Sequence, residues 1–212
     1  MEYTITQIAQ AKKNLDRVNI FINGNFWIGL DKNNLLNFDL YKNKVIDESL
    51  KVQIEKISET SKIIDKVHRY IGLRPRSIKE INDYLHYKQE LSKEESQAIV
   101  SKLIEKKILS DEEFTKWYIE NRLNFGIHGG NKIKGELIKK GVEKKIIDQF
   151  LREMLTDNEE NNQDEKMKLL VIKAKKTIKF KNSSELKQKL LQRLIGRGFS
   201  YTESINVINS MV

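Results

Sequence analysis

One fourteen-residue pattern occurs three times in this chain and does most to limit what it can become. It reads LSKEESQAIVSKLI from Leu91, VEKKIIDQFLREML from Val142 and FSYTESINVINSMV from Phe199. Its first position is apolar each time, and so are its ninth, tenth, thirteenth and fourteenth: Ile99, Val100, Leu103, Ile104; Phe150, Leu151, Met154, Leu155; Val207, Ile208, Met211, Val212. Such spacing lays one apolar stripe along a helix, and a stripe must be buried against a neighbour. The copies start 51 and 57 residues apart, room for three short helices and their turns.

Each copy is preceded by two more helical segments. First helices fall near Ser61–Ile71, Asp111–Leu123 and Glu165–Thr177; middle helices carry Ile78, Ile81 and Leu85, then Ile133 and Leu137, then Leu186, Leu190 and Leu194. Ser77 with Glu80, Ser92 with Glu95 and Ser200 with Glu203 have the spacing of a capping box, in which the serine oxygen satisfies a first-turn amide. Gly72, Gly141 and Gly198 lie where a left-handed residue ends a helix. A three-helix unit of this size buries little alone, so neighbouring units are expected to pack in an elongated, curved array.

The first third reads differently. Arg17–Ile22 and Phe26–Leu30 are β-branched and aromatic runs around Asn23-Gly24, the dipeptide suited to a tight hairpin turn. A further strand is expected near Thr4–Ala11, and a helix from Asp47. The expected fold is mainly α: a small strand-containing module with the start of a helix over 1–60, three-helix repeats over 61–110, 111–155 and 166–212 in an elongated curved array, and an acidic linker over 156–165. A single proline in 212 residues agrees with long helices.

Charge adds a direction. The formal surplus of +9 is concentrated at the end, where residues 166–212 hold 11 basic and 2 acidic side chains. That points to an anionic partner, nucleic acid or an acidic protein face, against the plainer alternative of a solvated lysine-rich surface. With no cysteine, disulfides, thiolate metal sites and cysteine nucleophiles are excluded. No apolar run reaches the roughly 20 residues of a membrane span, and the first residues do not read as a signal peptide, so a cytoplasmic location is expected.

No catalytic set emerges. His68, His86 and His128 lack metal-ligand spacing, and the carboxylates of Asp111-Glu112-Glu113 and Glu94-Glu95 suit helix starts. Gly126–Lys132 is no phosphate loop, because Asn131 precedes the lysine and Ile133 follows it; it reads as a flexible connection. Neither a metal nor another cofactor is expected.

Arg74-Pro75-Arg76-Ser77 with Glu80 and Tyr84-Leu85 resembles the signature that opens the second helix of a repeat in the RecX family. Ile108-Leu109-Ser110-Asp111 with Phe114 is similar to a turn of that family. So is the series Arg122, Gly126, Ile133, Glu136-Leu137 and Lys140-Gly141-Val142. Arg197-Gly198-Phe199-Ser200-Tyr201 follows, with Gly196 where a first arginine is usual. The resemblance runs over about residues 60–212, and the strand-containing start is similar to that of Gram-positive members. Some members carry a further repeat.

The resemblance implies a non-enzymatic, monomeric regulator that docks on the RecA–DNA filament and inhibits the recombinase and its ATPase, in DNA repair and the SOS response. Expected RecA- or DNA-facing residues are Arg74, Arg76, Lys79, Arg122, Lys132, Lys134, Lys139, Lys140, Lys187, Lys189, Arg193 and Arg197. For Arg74 and Arg76 an internal bridge to Glu80 or Asp83 stands as the alternative, and Phe114, Trp117 and Tyr118 read as core. The competing function is an independent basic DNA-binding protein, on single or double strands.

Overall fold

The computed structural model of the chain describes residues 2–12, 14–156 and 163–212. They fall into two compact units, with the division between Leu73 and Arg74.

The first unit is an antiparallel sheet backed by a long helix. Strands β1 (Tyr3–Gln10), β2 (Arg17–Ile22), β3 (Asn25–Asp31) and β4 (Val45–Ile46) lie in the order β3-β2-β1-β4, with a short helix α1 (Lys32–Asn37) between the last two in sequence. Asn23 and Gly24 turn the β2–β3 hairpin with φ of 48° and 85°, as the dipeptide predicts. Alternate residues Ile5, Ile20, Ile28 and Leu30 point to one face and bury against Leu40, Ile46 and Ile54. The two-residue β4 is too short for a pattern to announce.

Helix α2 runs unbroken from Glu48 to Leu73. It starts where Asp47 accepts the Leu50 amide at 2.7 Å. The expected boundary at residue 60 therefore falls inside a helix: no proline or glycine interrupts residues 48–71, so nothing stops the helix between the module and the first repeat. Gly72 is helical as well. The left-handed position corresponding to Gly141 (φ 83°) and Gly198 (φ 90°) is instead Glu90 (φ 56°), just before Leu91.

The second unit contains α3 (Ile78–Gln89), α4 (Lys93–Glu105), α5 (Asp111–Asn124), α6 (Gly130–Lys139), α7 (Lys144–Thr156), α8 (Gln163–Lys175), α9 (Ser183–Gly196) and α10 (Tyr201–Met211). All three capping boxes form. Helices α5–α7 enclose a core around Phe114, Ile119, Ile133, Leu137 and Ile147, and α8–α10 another around Met167, Val171, Leu190, Leu194 and Ile208. Most of the expected linker, residues 157–162, lies outside the described residues, and Gln163–Glu165 open α8.

Middle helices of successive repeats meet end on end. At the start of α3, Ser77 donates its hydroxyl to the Lys140 carbonyl at 2.8 Å, and Lys79 reaches the Lys139 carbonyl at 3.2 Å. At the start of α6, the Gly129 and Asn131 amides donate to the Arg197 and Gly198 carbonyls at 2.9 and 3.0 Å. Each contact supplies otherwise unpaired carbonyls at one helix end with donors from the next, and sets a positive dipole end on a negative one. In the second contact the backbones nearly touch: a Cβ on Gly129 would lie 2.3 Å from the Gly198 carbonyl carbon, and one on Gly198 2.3 Å from the Lys132 nitrogen. The glycine cluster expected to be a flexible connection is thus a closely packed junction.

Gly129→Ala should therefore lower stability by roughly 2–4 kcal/mol. Gly135→Ala, in the middle of α6 with open space around it, should raise it by up to about 1 kcal/mol. Urea unfolding of both variants checks this, and equal effects would remove the close junction from the account.

Candidate macromolecule-binding surface

The predicted cations separate into two groups with different surroundings. In the first, Glu80 is the centre. Its carboxylate accepts Arg74 at 3.0 and 3.1 Å, Lys140 at 2.6 Å and the Ser77 amide at 3.3 Å. Burial alone would push this carboxyl up, but the hydrogen bonds and charges of Arg74 and Lys140 outweigh it and lower the pKa to about 2. Aromatic rings back the cations. The Arg74 guanidinium lies 5.7 Å from the Trp117 ring, and the Lys140 ammonium 5.6 Å from Tyr118 and 5.9 Å from Phe114.

A second cluster shares Tyr118. Its hydroxyl donates to Glu136 at 2.9 Å and accepts from Arg122 at 2.9 Å, while Arg122 also pairs with Glu136 at 2.9 Å. Burial is the main reason the Tyr118 phenol titrates above its usual range. Lys134 is bonded to Asp148 on α7. Lys79 donates to the Lys139 carbonyl, leaving the Lys139 side chain exposed. Arg76 is half-buried and has partners within the protein. For Arg74 the internal bridge to Glu80 is the arrangement present. Arg122, Lys134 and Lys140 are likewise committed to carboxylates, because each faces an acid from a neighbouring helix.

The second group lies on α9 and its junction. Lys189, Arg193 and Arg197 follow one another at four-residue steps and share a face of the helix. Lys189 pairs with Glu185 at 2.8 Å and reaches the Lys179 carbonyl, and Lys187 reaches Asn209 at 3.2 Å. Arg193 is exposed, as are Lys176, Lys179 and Lys181 in the segment between α8 and α9.

Where α6 meets α9, Lys132, Arg122 and Arg197 are near enough to act on His128. Burial lowers that imidazole's pKa and the three cations lower it further, with Glu136 opposing. Its buried Nδ1 has no hydrogen-bond partner. Sequence alone gives His128 no neighbours of note, since only the fold brings these groups from α5, α6 and α9 together.

Among the described residues no group of three or more His, Cys, Asp or Glu side chains is placed to hold a metal ion. None of the described helices is long and apolar enough to cross a membrane.

Residues 3–47, the sheet module up to the start of α2, match the RecX N-terminal domain model, and residues 110–151, which hold α5, α6 and most of α7, match the RecX second three-helix domain. Regulatory protein RecX of Listeria welshimeri is 32% identical over 197 residues, covering 92% of this chain and 71% of that protein. The chain belongs to the RecX family. Regulatory protein RecX of Bacillus pumilus is 30% identical over 197 residues, covering 93% of the chain and 73% of the relative. A crystal structure of regulatory protein RecX superposes with a TM-score of 0.79 at 24% identity, over 98% of this chain and 99% of that one. RecX from Lactobacillus salivarius superposes at 0.62 over 72% and 96%, also at 24% identity. These likenesses establish the same fold. RecX proteins are regulatory proteins, not enzymes.

Glu80 generates a pH test. Its folded pKa is depressed, so its contribution to stability is complete above about pH 4.5 and is lost as pH falls towards about 2. A shift of that size corresponds to roughly 3 kcal/mol at neutral pH. Glu80→Gln should remove most of this and flatten the acid limb of stability against pH between those values. Parallel acid limbs for the two proteins would exclude the Glu80 network as its source.

Proposed function

We propose that this RecX-family protein binds the RecA–DNA filament and lowers the recombinase's DNA-dependent ATPase and strand-exchange activity, as a cytoplasmic regulator in DNA repair and the SOS response. The observation that carries the reading is the division of cations within a RecX fold. Those around Glu80 and Glu136 are neutralised inside the protein, whereas Arg193, Lys176, Lys179 and Lys181 stand exposed on or beside α9. A surplus of 11 bases over 2 acids in residues 166–212 gives that end a positive field, which steers it towards a polyanion.

The binding set is accordingly narrower than the twelve predicted residues. Lys187, Lys189, Arg193 and Arg197 on α9 make up the proposed filament- or DNA-facing set, with Lys132 at the α6–α9 junction and the exposed Lys139; the Lys189–Glu185 pair lies at the surface and leaves the ammonium accessible. Lys140 ties the second repeat to the first through Glu80, whereas Arg74, Arg122 and Lys134 are held by carboxylates within their own repeats.

The same surplus favours a second reading, an independent DNA-binding protein without RecA. It differs in the role of the recombinase. Direct binding to naked DNA would weaken steeply with salt, the slope falling by about one for each phosphate-contacting cation removed.

Titration of the protein into RecA's DNA-dependent ATPase at sub-stoichiometric ratios is the test. Lys187→Glu, Lys189→Glu, Arg193→Glu and Arg197→Glu together should raise the concentration for half-inhibition by about tenfold or more without unfolding the protein, which circular dichroism checks. Unchanged inhibition would remove this surface. No effect of the unmodified protein on RecA, with tight salt-dependent DNA binding, would favour the second reading.

A further inference from the structure

The second unit carries another exposed feature, of opposite sign. Between the start of α3, the end of α4 and the starts of α5 and α7 lies a groove with a volume of about 700 Å³. Its floor is apolar. Ile78 and Ile146 are half-buried there and Ile104 is 42% exposed. Ile104 occupies the fourteenth position of the repeated pattern, where a core residue is expected; it faces water instead, and Ile108, four residues on, is 37% exposed.

The rim of this groove is acidic. Glu112 and Glu113 come from the first turn of α5 and Glu143 from the residue before α7, with Lys107 the cation among the lining residues. None of the three glutamates forms an ion pair among the described residues. Asp111 stands with them. Burial raises its carboxyl pKa, and Glu143 and Glu80 add to the rise, against the Ile78 amide that hydrogen-bonds it. Favourable interaction with the two helix dipoles accounts for acids at helix starts. It does not account for Ile104 left exposed between them beside the half-buried Ile78 and Ile146.

In a chain with a surplus of +9, such a groove repels phosphates and attracts cations. An apolar floor inside a charged rim is the usual make-up of a protein–protein contact, in which a buried anchor gives affinity and the rim gives orientation. We infer that this groove docks a basic segment of a partner protein, whose lysines or arginines meet Glu112, Glu113 and Glu143 while an apolar side chain between them seats on Ile78, Ile104 and Ile146. The assignment goes beyond the filament reading and does not use the cations of α9. The protein then presents an anionic groove to a protein and a cationic face to a polyanion, on separate parts of one unit.

Fluorescence anisotropy with a labelled amphipathic peptide of leucine and lysine, titrated with the full chain, tests this. Glu112→Lys, Glu113→Lys and Glu143→Lys together should weaken binding by about tenfold or more, while Glu59→Lys, Glu94→Lys and Glu120→Lys, with the same change in net charge, should alter it by less than about threefold. Ile104→Ser, at an exposed site, should weaken it by about threefold or more with the rim intact. Equal losses in the two triple variants would reduce the effect to net charge and overturn the site. So would peptide binding indifferent to Ile104→Ser. Self-association of the full chain in sedimentation, abolished by the groove substitutions, would put a second copy there and overturn the assignment to a different protein.

Discussion

Everything in the second unit depends on one contact made twice: the first turn of a middle helix set upon the last turn of the next repeat's middle helix. A helix end leaves backbone carbonyls or amides unpaired, and burying it without partners costs about 1–3 kcal/mol per group. Here each repeat satisfies its neighbour. Ser77 bridges to the Lys140 carbonyl through its hydroxyl, whereas Gly129 and Asn131 use their own amides on Arg197 and Gly198. The difference explains the residue types. Where a hydroxyl spans the gap, serine is the first residue; where backbone meets backbone, only glycine fits on both sides.

The same contact decides which cations are available. Lys140 ends α6 beneath the start of α3, so its ammonium falls within 2.6 Å of Glu80. Arg74, from the segment leading into α3, reaches Glu80 from the other side. Two cations on one partly buried carboxylate lower its pKa to about 2, and the aromatic rings of α5 shield the assembly. A lysine or arginine in such a place serves cohesion between repeats. On α9 the geometry is different, because Arg193 is exposed and Lys189 pairs with Glu185 one turn earlier on the same helix.

Much of the fold was legible because helix periodicity, capping boxes and the Asn-Gly hairpin are local signals. Those encoded Ser92–Glu95 and Ser200–Glu203 as faithfully as they encoded the β2–β3 turn. The border of the first repeat was not legible, since α2 continues through residue 60 and a helix without a stop signal gives no mark of a change of role. Gly72 misled for a related reason: a glycine can sit inside a helix, and the left-handed turn fell to Glu90. Of the candidate surface, the α9 cations could be read from charge density alone. The commitment of Arg122 to Tyr118 and Glu136, or Lys134 to Asp148, could not, because partner and cation come from different helices.

The stretches that carry the resemblance include Arg74 to Glu80, Arg122 to Val142 and Arg197 to Phe199. In the structure these are the residues that bridge Glu80, close the Tyr118 cluster and form the two helix-end junctions. A signature built on contacts between repeats marks how the protein is assembled. The proposed binding face asks for less, positive charge at roughly helical spacing, as in Lys189, Arg193 and Arg197. The fold and the proposed binding faces therefore draw on largely different residues, with Arg197 common to both: its carbonyl accepts the Gly129 amide while its side chain belongs to the α9 face.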